Sequence, residues 1–155
     1  VNLKTQESRP TTRHFWFWLE TSLFDMSRKV LIVDDEPHML RLTELSLKKD
    51  GYQILTARSG REAIDLASRE LPALIVMDVT MPEMDGITAL RQLKATPATA
   101  AIPIIMLTTR GQTITRNEAQ GSGAALYLTK PFSPSSLAAE ARRLISALPT
   151  PAATP

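Results

Sequence analysis

The chain has 155 residues, 43% of them hydrophobic and 22% charged, which suits one globular domain with a full core. The net charge is only +2 and no Lys/Arg run occurs, so neither a nucleic-acid surface nor direct nucleic-acid binding is expected. There are no cysteines, which removes a disulfide framework, a thiolate metal site and a cysteine nucleophile. No apolar run approaches the roughly 20 residues of a membrane span, so no membrane role and a cytoplasmic location are expected.

Residues 1–26 differ from the rest. A polar stretch leads into His14-Phe15-Trp16-Phe17-Trp18-Leu19, which holds both tryptophans, and Glu20 interrupts the apolar run. No h-region leads to a small-residue cleavage site, which argues against a signal peptide. This part reads as an N-terminal extension upstream of a natural start near Met26. A docked arm and an interfacial anchor are the alternatives. Residues 27–148 form the expected domain, and the Pro/Ala/Thr-rich residues 149–155 read as a disordered tail.

Within 27–148, apolar strands alternate with amphipathic stretches. Val30-Leu31-Ile32-Val33 is a continuous apolar run, as a strand buried on both faces requires. Pro37 suits the first turn of a helix, with Met39, Leu42, Thr43 and Ser46 on its inward face and Asp50-Gly51 at its end. Gln53 to Ala57 is a second strand. Ser59 is the expected N-cap of a helix from Gly60 to Arg69 that carries Ala63, Ile64 and Ala67 inward. Ala73 to Met77 is a third strand, Ile87 to Lys94 a helix and Pro103 to Leu107 a fourth strand. The next helix is expected to be short or frayed, because Gln120-Gly121-Ser122-Gly123 puts two glycines at its end. Ala125 to Leu128 is a fifth strand, and Ser133 to Leu148 closes the domain as a helix. This alternation implies an α/β fold with a parallel sheet covered on both faces. Strands one, three and four, the most apolar, are expected at its centre.

In open α/β sheets, ligands bind beyond the carboxyl ends of the strands. The strand ends here are Asp34-Asp35-Glu36, Asp78, Thr108-Thr109 and Thr129-Lys130-Pro131. Convergence would bring together three carboxylates, a hydroxyl and an ammonium. Two carboxylates 4–5 Å apart repel by roughly 3–4 kcal/mol at an effective dielectric of 20, so such a cluster demands a cation or a raised pKa. Oxygen ligands without His or Cys select a hard ion, and Mg²⁺ fits best. With Lys130 and Thr108 opposite, this is equipment for phosphoryl transfer to a carboxylate.

The segments Val30-Leu31-Ile32-Val33-Asp34-Asp35-Glu36-Pro37 and Met77-Asp78-Val79-Thr80-Met81-Pro82-Glu83-Met84-Asp85-Gly86 resemble the opening and the phosphoacceptor segment of response-regulator receiver domains. Thr108 follows Asp78 by 30 residues and Lys130 follows Thr108 by 22, spacings typical of that family. Leu126-Tyr127-Leu128-Thr129-Lys130-Pro131-Phe132 resembles the family's last strand and its loop, so the likeness spans about residues 29–147.

The resemblance implies a flavodoxin-like five-stranded sheet of order 2-1-3-4-5. It implies Asp78 as phosphoacceptor, with Mg²⁺ held by Asp35, Asp78 and the backbone carbonyl of Thr80, and by Asp34 through water. Thr108 would hydrogen-bond the phosphoryl group and Lys130 would pair with it, next to a cis Lys130-Pro131 bond. Tyr127 matches the family's switch aromatic. The implied donor is a sensor histidine kinase or a His-phosphotransfer protein, and the output is a downstream target protein. Leu40 and Phe132 are a candidate apolar docking patch for that donor; a wider buried stripe on the first helix, with Leu40 in the core, is the alternative.

The type implied is a stand-alone, chemotaxis-regulator-like receiver; a receiver cut from a longer regulator is the alternative, and a phosphorylation-independent docking receiver a weaker one. Ala125 and Leu126 stand where winged-helix regulators usually carry acidic residues, which argues against their salt-bridged dimer. An aspartyl-phosphate phosphatase of the haloacid dehalogenase type would need a second Asp at the position of Thr80. The domain is therefore expected to be a signalling module and not an enzyme.

Overall fold

The computed structural model describes residues 28–109, 111, 114 and 116–148. The expectations for residues 1–26 and 149–155 lie outside them. The elements, in chain order, are β1 (Lys29–Val33), α1 (Pro37–Lys48), β2 (Gln53–Ala57), α2 (Gly60–Glu70), β3 (Leu74–Asp78), α3 (Gly86–Ala95), β4 (Ile104–Thr109), α4 (Arg116–Gly121), β5 (Leu126–Lys130) and α5 (Pro134–Ser146). All strand pairs are parallel and the sheet order is β2-β1-β3-β4-β5, as the flavodoxin-like expectation requires.

The period-two alternation of strand side chains divides the core into two layers. Leu31, Val33, Ile75, Met77, Ile104 and Met106 face one way, against Ala63 and Ala67 of α2 and Ala89, Leu90 and Leu93 of α3. Val30, Ile32, Leu74, Val76, Ile105 and Leu107 face the other way, against Leu40 and Leu47 of α1 and Leu137 and Ala141 of α5. Apolar residues at both parities explain the continuous runs in β1, β3 and β4. Among the described residues no helix is long and apolar enough to cross a membrane.

Local signals set most boundaries. Pro37 occupies the first turn of α1 and Pro134 that of α5. Ser59 caps α2 by accepting from the Glu62 N–H, as expected, and Asp85 caps α3 by accepting from the Thr88 N–H. Beyond α1, Gly51 turns the chain at φ +80°. Helix α4 has six residues, the short element that the glycines foretold. The later strands end on the polar residues expected at their carboxyl ends, past the last apolar residue of each run. Strands β3, β4 and β5 continue through Asp78, Thr109 and Lys130, because the ladder pairs Asp78 with Leu107, Thr108 with Thr129 and Thr109 with Lys130. Backbone pairing outlasts the apolar side chains.

Helix α1 corrects the expected helical phase. Its buried residues are Leu40, Thr43, Ser46 and Leu47, whereas Leu42 is 41% exposed. Leu40, placed in a candidate docking patch, is only 9% exposed and belongs to the core, as the wider-stripe alternative requires. The physical reason is that Leu40 and Leu47, two turns apart, lie in line along the helix. Facing them into the seam between the sheet and α5 buries two leucines; the other phase would bury Met39 and Leu42 and leave that line exposed. The remaining leucine, Leu45, is 51% exposed. Leu40→Ala is expected to cost about 2–4 kcal/mol of unfolding free energy in urea titrations. Leu42→Ser should stay within about 0.5 kcal/mol of wild type. Equal effects would mean that the helix sits in the other phase.

Candidate functional site

The same alternation that sorts the core also sorts the polar strand ends. Asp34 follows Val33, and Asp78 ends β3; both continue the parity of Ile32 and Val76, toward the α1/α5 layer. Lys130 has that parity on β5. Since β1 and β3 are neighbours in register, Asp34 and Asp78 arrive side by side. Asp35 is the next residue out. One oxygen from each of Asp34, Asp35 and Asp78 lies within 4.8 Å of the others.

Asp34 is fully engaged. Its Oδ1 accepts from the Glu36 N–H at 3.0 Å, and its Oδ2 accepts from Lys130 Nζ at 2.9 Å. The Lys130 ammonium also lies 3.5 Å from Asp78 Oδ2. Asp78 Oδ1 accepts weakly from the Thr80 N–H at 3.4 Å, and the side chain is nearly buried. Burial pushes the Asp78 carboxyl above its ordinary range; Lys130 pulls it back, and the Asp34 charge adds to the rise. The Lys130-Pro131 peptide bond is cis, as expected.

The loop after β3 is tied to the sheet. The Val79 N–H donates to the Leu107 carbonyl at 2.9 Å, and the Gly86 N–H donates to the Val79 carbonyl at 2.8 Å. A Cβ on Gly86 would fall 2.1 Å from the Asp78 carbonyl oxygen, so only glycine lets α3 start this close behind the acidic residue. Sequence reasoning assigned Gly86 no role. A glycine at the first position of a helix, where propensity disfavours it, is the signal of such a close approach.

Thr108 and Tyr127 lie on the opposite parity, facing the α2/α3 layer. Thr108 Oγ1 donates to the Leu128 carbonyl at 3.4 Å rather than to any of the carboxylates. Tyr127 packs half-buried against that layer, its hydroxyl 2.7 Å from Ser122 Oγ. The structure therefore gathers Asp34, Asp35, Asp78 and Lys130 into one cluster, with Thr80 touching it through its N–H. Thr108 and Tyr127 stand beside the cluster. Phe132, in the loop after β5, packs half-buried on the α1/α5 layer.

Three carboxylates against one ammonium leave a net of two negative charges when all are ionised. The donors are all oxygens, and the cluster reaches the surface through Asp35. These features fit a hard divalent ion.

Because the folded Asp78 carboxyl keeps its proton to higher pH than the unfolded one, its contribution to stability is full below its ordinary pKa of 3.8 and is lost as pH rises through the folded value. In EDTA, Asp78→Asn is therefore expected to melt above wild type at pH 7. The difference should shrink as pH falls toward 4. A difference independent of pH would show that the charge is not the cause.

The family model for the response regulator receiver domain matches residues 30–142. The transcriptional regulatory protein SrrA of Staphylococcus aureus is 42% identical over 123 residues, covering 77% of this chain and 48% of SrrA. The chain spans about half or less of the length of the curated relatives it matches. Among solved structures, chemotaxis response regulator CheY4 of Vibrio cholerae is 33% identical at a TM-score of 0.69, covering 76% of this chain and 98% of CheY4. The receiver domain of sensor histidine kinase PA1611 from Pseudomonas aeruginosa, with a magnesium ion coordinated in its active-site cleft, is 30% identical at a TM-score of 0.71, covering 78% of this chain and 99% of that domain. With the sheet order, the acidic cluster and the family match in agreement, this chain belongs to the response regulator receiver domain family.

Proposed function

We propose that the domain accepts a phosphoryl group on Asp78 from a phosphohistidine and uses it to change a partner-binding surface. The observation that carries this reading is the cluster of Asp34, Asp35 and Asp78 oxygens within 4.8 Å, with Lys130 Nζ at 2.9 Å from one member and 3.5 Å from another. In the transfer, an Asp78 carboxylate oxygen forms the new O–P bond. The P–N bond of the donor breaks, and the imidazole leaves with its electron pair and takes up a proton. Lys130, already against Asp78, offsets charge on the phosphoryl oxygens. Mg²⁺, when bound, neutralises further charge on those oxygens. Asp35, Asp78 and the Thr80 carbonyl are its proposed direct ligands. Asp34 has both oxygens committed to Glu36 and Lys130, which supports contact through water.

Thr108 is the proposed donor to the phosphoryl group and Tyr127 the proposed switch aromatic. Their shared sheet face on adjacent strands supports coupled movement. The proposed donor is a sensor histidine kinase or a His-phosphotransfer protein, acting in the cytoplasm. Phe132, two residues after Lys130, is retained as an apolar element of its docking surface; Leu40, a core residue, is not. The first reading is a stand-alone receiver, of the kind CheY4 is, acting on a separate target protein. The half coverage of SrrA favours the second reading, a receiver within a longer regulator.

Acetyl phosphate with Mg²⁺ is expected to add one phosphoryl group, seen by intact-mass spectrometry, and Asp78→Asn should abolish it. Label persisting in Asp78→Asn would place the acceptor elsewhere. Mg²⁺ should also raise the melting temperature, with about 2.7 kcal/mol gained at one hundred times its dissociation constant. Asp35→Ala should remove that response, and a wild-type melting curve indifferent to Mg²⁺ would count against the metal site.

A further inference from the structure

The two hydroxyls next to the acidic cluster are both committed elsewhere. Thr108 Oγ1 donates to the Leu128 carbonyl, and the Tyr127 hydroxyl meets Ser122 Oγ. Ser122 sits at the end of α4, in the Gly121-Ser122-Gly123 turn. Its hydroxyl donates to the Ala119 carbonyl at 2.9 Å and accepts from the Ala124 N–H at 3.3 Å. A serine hydroxyl has one proton and two lone pairs. With its proton on Ala119 and one lone pair on Ala124, the remaining lone pair accepts the Tyr127 O–H. All three capacities are then filled by one geometry.

The turn itself is held in place. Gly123 lies at φ +83°, and a Cβ there would fall 3.1 Å from Lys94 Cγ, so the turn rests directly on the Lys94 stem. The Lys94 ammonium is fixed in turn by the Ala100 and Ile102 carbonyls, at 3.1 and 2.6 Å. Ser122 is thus an anchored acceptor on the shoulder of the sheet. Tyr127 and Thr108 are diagonal neighbours on adjacent strands, because Met106 pairs with Tyr127 and Thr108 with Thr129. Diagonal pairs on one sheet face are within reach of an aromatic side chain.

We propose that Ser122 is a positioning residue that latches Tyr127 in the unphosphorylated arrangement. It thereby sets how readily Thr108 can leave Leu128 for a phosphoryl group on Asp78. This deepens the proposed function and rests on it. A phosphoryl group that favours the released arrangement works against the Tyr127–Ser122 bond, and its apparent affinity is reduced accordingly. Removing the bond lifts that reduction without touching the acidic cluster. A net hydrogen bond of the usual strength corresponds to about two- to tenfold in affinity.

The test uses beryllofluoride with Mg²⁺ as the phosphoryl mimic, titrated calorimetrically into the full chain. Tyr127→Phe removes the latch bond and leaves the other two Ser122 bonds intact; Ser122→Ala removes all three, and Ser122→Thr keeps a hydroxyl. Tyr127→Phe and Ser122→Ala should each bind the mimic about two- to tenfold more tightly than wild type. Combining them should add nothing, and Ser122→Thr should bind as wild type does. A purely structural role for Ser122 would instead lower the melting temperature and leave the Tyr127→Phe affinity at the wild-type value, which would overturn the latch. If wild type binds no beryllofluoride at all, the phosphoacceptor reading fails first. If wild type binds it and Tyr127→Phe binds equally or more weakly, the latch alone is wrong.

Discussion

The Lys130 ammonium, reaching from the edge strand β5 to the carboxylates of Asp34 and Asp78, is the interaction around which the carboxyl edge of the sheet is organised. Without a positive group, three carboxylates this close would repel by several kcal/mol per pair. One ammonium is enough to let the strand ends converge but not enough to satisfy them. Burial and the Asp34 charge still lift the Asp78 carboxyl above its ordinary range despite Lys130. That imbalance is useful. A fully neutralised cluster would have little call for a divalent cation, whereas this one is stabilised by a cation that offsets its net negative charge.

The cluster exists because of strand order and parity together. Adjacency of β1 and β3 brings Asp34 next to Asp78, and the period-two rule points both, with Lys130, to the same layer. Thr108, also at a strand end, has the other parity, and so its hydroxyl rests on the Leu128 carbonyl. The difference separates the residues that build the charge cluster from Thr108, whose hydroxyl is bonded beside it. Gly86 adds the rear boundary, since α3 starts against the carbonyl of Asp78. The acidic residue is therefore held from behind by backbone and from the side by an ammonium, while Asp35 faces the open side.

The surface next to the cluster is built differently. Helix α4 has six residues and ends in glycines, too short to be stable from its own hydrogen bonds. Its end is fixed through Ser122 to Tyr127 and through Gly123 to the Lys94 stem. Among the described residues its end is held through these side-chain contacts, so a change at Ser122 or Tyr127 bears directly on its position.

The amino-acid sequence by itself determined the element order, the central strands, the Ser59 cap, the short α4 and the acidic residues at the strand ends. These depend on local features: apolar runs at both parities, Pro and Gly positions, and a polar residue closing each strand. Tertiary structure decided what local pattern leaves degenerate. Helix α1 carries more apolar residues than one stripe needs, so two phases were open. The seam between the sheet and α5 selected Leu40 and Leu47 for the core and left Leu42 and Leu45 outside. The strand register, which sets Asp34 beside Asp78 and Thr108 beside Thr129, is likewise a property of the neighbouring strand and not of the strand's own side chains. The Gly86 approach to Asp78 leaves a trace in the sequence as a glycine opening a helix, but its partner, like that of Ser122 with Tyr127, is set by backbone placement in three dimensions.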